Sequence, residues 1–145
     1  MPRHTDQAAR LLALAKRDKT SFRALSCHPE VDISATGFFA QQVVEKCIKA
    51  VAAYNGIVFR RTHDVDELVD LLLQHQVALP FPCGLFSVLN PFAVILRYEV
   101  ISHVSYASYV SISVATMAEL VEQAYQWASD ATRGAQPVSD QVQNP

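Results

Sequence analysis

The sequence has 145 residues, with 12 Lys and Arg against 14 Asp and Glu, and its formal charge is −2. Half of the residues are hydrophobic and 18% are charged, which excludes a chain that is disordered throughout, and the length suits one domain. The near-neutral charge gives no support for broad electrostatic binding to nucleic acid. No apolar run is long enough to span a bilayer, and the first residues lack the apolar core of a secretory signal. The three cysteines form no CxxC pair, so we expect a reduced, cytoplasmic protein without a disulfide framework.

Helical spacing of apolar residues predicts two long helices in the first third of the chain. The first has an apolar face from Ala8 to Leu25, with residues 16–19 turned outward. Pro29 marks the connection. The second runs from about Ile33 to Asn55, and Asn55-Gly56 supplies left-handed residues that end it. Its apolar face is predicted to consist of Phe39, Val43, Cys47, Ala50 and Tyr54. Its polar face is predicted to consist of Gln41, Gln42, Glu45, Lys46 and Lys49.

Capping residues predict where the next two helices begin. Asp64 is a suitable N-cap for a third helix, and Glu67 stands at the capping-box position three residues later. Asn90 and Pro91 have the residue types of an N-cap and a first helical position, so they predict the start of a fourth helix. Residues 98–112 are rich in Tyr, Val, Ile and Ser, and we interpret them as an extended connection into which helix 4 can continue.

The last helix is predicted from about Ser113 to Ala131, and its apolar stripe is Met117, Leu120, Val121, Ala124, Trp127 and Ala128. Amphipathic helices joined by short connections favour an all-α fold, an antiparallel up-and-down helical bundle of four to five helices over residues 4–133. Residues 134–145 have almost nothing to bury and are predicted to form a disordered C-terminal tail.

Familiar catalytic motifs are missing from the sequence. It contains no Walker loop, GxSxG, HExxH or strand-following GxGxxG motif. The five histidines have no Cys or carboxylate at metal-ligand spacing, so we expect no metal ion and no cofactor. An all-α bundle does not by itself imply a function.

The segment from Phe38 to Leu72, FFAQQVVEKCIKAVAAYNGIVFRRTHDVDELVDLL, resembles the core of HEPN domains. The residues that carry the resemblance are Phe39, Gln42, Glu45, Lys46, Lys49, Gly56 and the run Arg61-Thr62-His63-Asp64. Flanking similarities lie at Ala15, Asp18 and Phe22, and at Phe92, Arg97 and Tyr98, so that together they cover most of residues 10–130. The resemblance implies a small helical bundle, often a homodimer. It also implies a gene often found beside a minimal nucleotidyltransferase, as the partner or toxin half of a two-component system.

Some members of that family are RNases that use an Arg followed by a His, and Arg97 and His103 form such a pair here. Cleavage of RNA through the 2′-hydroxyl needs a proton-transfer group near neutral pH, which His supplies. It also needs a permanent cation for the developing phosphate charge, which Arg supplies. The Arg97-Tyr98 form, however, resembles the nucleotidyltransferase-partner subgroup, which favours a structural or binding role for Arg97 over catalysis.

A small cationic surface is the second candidate site, and its ligand-binding residues are Lys46, Lys49, Arg60, Arg61 and His63. If the segment after the second helix folds beside that helix, these groups converge on a phosphate or an acidic partner. The alternative is that Lys46 and Lys49 form a solvated helix face next to Glu45, and that His63 satisfies backbone groups before Asp64.

The aromatic residues divide into two sets. Phe38, Phe39, Tyr54, Phe92 and Trp127 fall on apolar helical faces and are predicted to be core, whereas Tyr98, Tyr106 and Tyr109 are candidates for a self-association surface. The family resemblance implies a HEPN-like homodimer that acts as partner of a minimal nucleotidyltransferase protein in a toxin–antitoxin-like system and binds a nucleotide or RNA. The alternative is a metal-independent RNase toxin that uses Arg97 and His103.

Overall fold

Helices make up the regular structure of the described part of the chain. The computed structural model describes residues 3–95 and 112–135. Its α-helices are α1 (His4–Ser26), α2 (Ile33–Tyr54), α3 (Val65–Gln74), α4 (Phe92–Ile95) and α5 (Val114–Ala131), with 3-10 turns at Ser87–Leu89 and Arg133–Ala135. These ranges contain no strand and no helix that is both long and apolar enough to cross a membrane. The predicted all-α helical bundle is confirmed. Residues 98–111 of the connection predicted at 98–112, and residues 136–145 of the predicted tail, lie outside the described residues.

Local signals set the ends of α2 and pair it with α1. The carboxylate of Asp32 accepts a hydrogen bond from Ser34 N–H at 2.8 Å at the start of α2. Gly56 follows the helix with φ +70°, a left-handed conformation that glycine adopts without strain. Ala8 packs against Ala53, whereas residue 18 of α1 contacts residue 46 of α2, so the two helices are antiparallel.

α2 is the central helix, and it is buried on all sides. It packs against α1, α3, α4 and α5. The prediction that its polar face points to solvent is wrong for Gln41 and Glu45, which are 0% and 3% exposed. Because α1 and the segment after α2 cover this face, its polar groups bond to one another. Among the described residues, no buried side-chain nitrogen or oxygen lacks a hydrogen-bond partner.

The predicted cap at Asn90 has a different role. Asn90 Oδ1 accepts a hydrogen bond from the N–H of Val65 at 2.9 Å, and Nδ2 donates to Asp64 and Asp66 at 3.1 and 3.0 Å. Asn90 therefore caps the start of α3, and α4 begins at Phe92 instead. Its own helical φ and ψ of −51° and −44° are not those of an N-cap residue.

The predicted N-cap of α3 is confirmed, and the capping box is not. The carboxylate of Asp64 accepts hydrogen bonds from the backbone N–H groups of Asp66 and Glu67. The N–H of Asp64 donates to Thr62 Oγ1 at 3.1 Å, and the side chain of Glu67 binds Arg60. The Thr62 hydroxyl therefore takes the place that the capping box assigns to Glu67.

α5 matches its prediction, whereas part of the outer face of α1 does not. All six residues of the predicted apolar stripe of α5 are buried, and its N-cap is Ser113. Asp18 and Lys19 were expected to face solvent, but their side chains are only 6% and 11% exposed. Lys19 pairs with Glu122 of α5 and lies over the ring of Tyr125, so the charge joins α1 to α5.

Cys47 behaves as the sequence predicts, as do Phe92 and Trp127, whereas the other three aromatic residues predicted to be core, Phe38, Phe39 and Tyr54, are only partly buried. Cys47 is 0% exposed, and burial raises the pKa of its thiol, as expected for an unreactive core cysteine. Phe92 and Trp127 are buried as well.

Gly37 fixes the position of α4, and replacing it with Ala is expected to destabilise the protein. A Cβ added at residue 37 would lie 2.6 Å from Cε1 of Phe92, so the ring must move. We expect Gly37→Ala to lower the free energy of unfolding by about 1–3 kcal/mol through overpacking, measured by urea denaturation. Gly84→Ala is the control, because there the nearest atom, Ser87 Oγ, is 3.7 Å away. Equal stability of the two variants would contradict the assigned packing.

Candidate functional site

Glu45 lies at the centre of the polar face of α2. Its side chain is 4% exposed, and it accepts hydrogen bonds from Lys49 Nζ at 2.8 Å and Gln41 Nε2 at 2.9 Å. Burial works to raise the pKa of this carboxyl group, but the hydrogen bonds from Lys49 and Gln41 and the charges of Lys49 and His63 outweigh it. The pKa of Glu45 therefore lies below its ordinary value, and the group is ionised at neutral pH.

Lys49 belongs to the interior rather than to a solvated face. Its side chain is 13% exposed, and its ammonium group lies 5.9 Å from the centre of the Phe59 ring. The alternative that treated Lys49 as part of a solvated helix face is therefore wrong, although its predicted pairing with Glu45 is confirmed.

Lys46 joins α2 to α1. Its ammonium group pairs with Asp18, whose side chain is 6% exposed, and donates to Gln42 Oε1 at 3.1 Å. Gln42 Nε2 in turn donates to Gln41 Oε1 at 2.7 Å. A continuous series of hydrogen bonds therefore connects Asp18 of α1, through Lys46, Gln42 and Gln41, to the carboxylate of Glu45. We call this set the α2 polar network: Asp18, Gln41, Gln42, Glu45, Lys46, Lys49 and His63.

Arg60 turns towards α3 and away from the α2 polar network. Its guanidinium binds both carboxylate oxygens of Glu67, with Nη2 at 2.9 Å from Oε2. This hydrogen-bonded pairing raises the pKa of Arg60 and, together with a hydrogen bond from Thr62, lowers the pKa of Glu67. The predicted convergence of cations is therefore partial. Lys49 and His63 share one carboxylate, whereas Lys46 and Arg60 have other partners.

Arg61 differs from the other candidate cations. It is exposed, and within residues 3–95 and 112–135 it has no ion-pair or hydrogen-bond partner. A guanidinium in this state keeps its donors for a ligand, since it need not break an internal contact to bind one.

His63 connects the α2 polar network to the surface. Its Nδ1 lies 3.2 Å from each carboxylate oxygen of Glu45, and its backbone carbonyl accepts from Gln41 Nε2 at 3.0 Å. The imidazole is 36% exposed and lines a cleft of about 330 Å³. The other residues that line this His63 cleft are Thr62, Asp64, Asn90, Ala93 and Val94.

The predicted catalytic residues Arg97 and His103 lie outside the described residues, as do Tyr98, Tyr106 and Tyr109. In the sequence, Arg97 follows Val94, a residue of the cleft wall, by three positions.

Sequence reasoning missed that Asp18, Gln41 and Asn90 support this site. A signal was present, because α2 carries apolar residues on every side between Ala40 and Ala53. A helix that is apolar all round is buried, and the polar residues within it must then be paired.

The fold and site together define a class of small all-α bundle, in which a buried polar network on the central helix ends at a histidine in a surface cleft. The chain belongs to the HEPN family, since the HEPN domain family matches residues 5–129. The resemblance inferred from residues 38–72 is confirmed at the level of the family. No curated protein and no solved structure matches the chain. Membership of this family supports a nucleotide- or RNA-related role.

Proposed function

We propose that the protein is a nucleotide- or RNA-binding HEPN domain that acts, as a homodimer, with a minimal nucleotidyltransferase in a toxin–antitoxin-like system. The observation that carries the binding part is the pair Arg61 and His63, two residues apart: an exposed cation that has no partner among the described residues, and a histidine in a cleft. The Arg97-Tyr98 sequence, which resembles the nucleotidyltransferase-partner subgroup, supports the choice of partner.

Among the five candidate ligand-binding residues, Arg61 and His63 are assigned the direct contacts. Lys46, Lys49 and Arg60 are paired with carboxylates, so a ligand would have to displace Asp18, Glu45 or Glu67 to reach them. We assign Lys49 a supporting role, in which it holds Glu45, the carboxylate that contacts His63, whereas Lys46 pairs with Asp18 and joins α2 to α1.

Arg61→Ala tests the binding site. We expect the single-stranded RNA hexamer r(A)6 or ATP to raise the melting temperature of the wild-type protein. Loss of a charge-assisted contact worth about 1.5–3 kcal/mol weakens binding about tenfold to a hundredfold in the variant. Arg10→Ala is the matched control, because Arg10 is also exposed. Equal ligand-induced shifts of the melting temperature in the Arg61 and Arg10 variants would reject the binding site at Arg61.

Co-purification of the protein from its native host tests the proposed protein partner. Recovery of no small nucleotidyltransferase would count against the proposed partnership.

A second candidate function is a metal-independent RNase toxin that uses Arg97 and His103. The Arg-x5-His spacing within a chain of the HEPN family favours it. We expect overexpression to arrest growth, and either Arg97→Ala or His103→Ala to abolish the arrest, with growth curves as the measurement. Growth arrest that persists in both variants, or no arrest by the wild type, would exclude this function.

A further inference from the structure

The start of α3 lies beside the His63 cleft, and its backbone N–H groups already have acceptors. The first four N–H groups of a helix lack partners within the helix, so a helix start is a common binding site for phosphate. Here those of Asp66 and Glu67 donate to the carboxylate of Asp64 at 2.9 and 3.3 Å. The N–H of Val65 donates to Asn90 Oδ1 at 2.9 Å, and the N–H of Asp64 itself donates to a threonine hydroxyl at 3.1 Å. The four donors at this helix start are therefore occupied.

The carboxylate that occupies this helix start is a fixed negative charge in the cleft wall. Asp64 lines the cleft, and it accepts a hydrogen bond from Asn90 Nδ2 at 3.1 Å in addition to those from the two N–H groups of α3. A carboxylate near a helix N-terminus is also stabilised by the helix dipole. Because Asp64 cannot turn out of the cleft wall without losing these bonds, it repels any anion that enters the cleft.

The positive charge near the cleft is limited as well. Three cations of the neighbouring segments are each matched by a carboxylate, in the pairs Lys46–Asp18, Lys49–Glu45 and Arg60–Glu67. Arg61, which directly precedes Thr62 of the cleft wall, has no partner within residues 3–95 and 112–135. One guanidinium suits one phosphodiester group, which carries a single charge. The charge of Asp64 opposes each further negative charge on a ligand.

We propose that Asp64 is a specificity-determining residue, whose charge makes the His63 cleft select the singly charged phosphodiester of RNA over the terminal phosphates of free nucleotides. Arg61 binds the phosphodiester, and the apolar residues Ala93 and Val94 of the cleft wall contact the adjoining base. The cleft volume of about 330 Å³ is near the lower limit of ligand pockets, roughly 300–1,000 Å³, so it suits one nucleotide of a strand. This inference rests on the proposed binding function and chooses RNA rather than a free nucleotide as its ligand.

Competition between matched nucleotides tests the proposal. Fluorescein-labelled r(A)6 is bound to the protein, and its displacement is followed by fluorescence anisotropy at pH 8.0, at constant ionic strength and with EDTA. The competitors are the methyl ester of AMP, AMP itself and ATP, which share one nucleoside and carry about one, two and four negative charges. We expect AMP and ATP to bind the wild-type protein no more tightly than the methyl ester, because the repulsion by Asp64 offsets the attraction of Arg61 for the added charge.

Asp64→Asn removes the charge and keeps a side chain that caps helices well. We expect AMP and ATP to bind this variant more tightly than the methyl ester, by about threefold for each added charge held roughly 6 Å from residue 64 in water. Asp64→Ser, which also caps, is the second variant, and the melting temperature shows that each variant is folded. Asp70→Asn is the matched control, because Asp70 is an exposed carboxylate of the same helix that does not line the His63 cleft. It is expected to keep the wild-type order of affinities.

The outcomes distinguish this inference from the proposed function. If r(A)6 binds but ATP is clearly preferred to the methyl ester by the wild-type protein, the inference is overturned and the binding function stands. The same holds if the two Asp64 variants keep the wild-type order, or if no mononucleotide displaces r(A)6. Absence of any binding of r(A)6 and of the nucleotides would reject the binding function itself.

Discussion

We expect Glu45→Ala to lower the free energy of unfolding by about 3–5 kcal/mol, the cost of breaking a buried ion pair from one side. The side chain of Lys49 is 13% exposed, so the substitution leaves its ammonium group largely desolvated and without its partner carboxylate. Gln41 loses an acceptor as well, and His63 loses the group that holds Nδ1. Urea denaturation followed by circular dichroism measures the change.

Arg23→Ala is the control for this expectation. Arg23 pairs with Glu122, and their side chains are 64% and 53% exposed, so the substitution leaves no desolvated charge without a partner. Exposed ion pairs contribute about 0–1 kcal/mol, so the control is expected to lose no more than that. Similar losses in the two variants would mean that the α2 polar network is not a buried structural element.

The second large effect is expected at Asp18, where α1 meets the α2 polar network. Asp18→Ala leaves Lys46 without its carboxylate, and because the Lys46 side chain is 17% exposed, part of its charge can reach water. We therefore expect a loss of about 2–4 kcal/mol, slightly below the range for a fully buried pair. Thermal and urea unfolding of the same variant provide the measurement.

A double variant separates the loss of a contact from the cost of an unpaired charge. Asp18→Leu combined with Lys46→Met removes both charges and keeps apolar volume, so we expect it to recover most of the stability lost in Asp18→Ala. Asp130→Ala, which breaks an exposed pair with Arg133, is expected to leave the free energy of unfolding essentially unchanged. A double variant no more stable than Asp18→Ala would contradict this account.

The helix positions could be predicted from the sequence because the signals are local. The apolar stripe of α5, the N-cap at Asp64 and the break at Pro29 each depend on residues within one or two turns. The end of α2 was predictable for the same reason, since Gly56 is the residue that adopts a left-handed φ. Asn55, paired with it in the prediction, has φ −86° and needs no such freedom.

The candidate site could be predicted only in part, because it depends on which element covers which face. The sequence identified Lys49 and His63 as candidate site residues, but it did not show that both contact the buried carboxylate of Glu45. From the sequence alone, Glu45 resembles the acidic residue of an exposed helical salt bridge. Only the folded chain shows that the segment after α2 covers it. Asn90 shows the same limit. Its residue type predicts a cap, but only the folded chain shows that it caps α3 from 25 residues away.

The α2 polar network also has a consequence for how the two longest helices align. Where Ala8 meets Ala53 the contact is between methyl groups, which would tolerate a slide of one helix along the other. Such a slide by one turn, about 5.4 Å, would carry Asp18 out of reach of Lys46 and leave both charges stranded between helices. The small side chains therefore allow α1 and α2 to pack closely, and the ion pair between Asp18 and Lys46 determines the axial register in which the two helices pack.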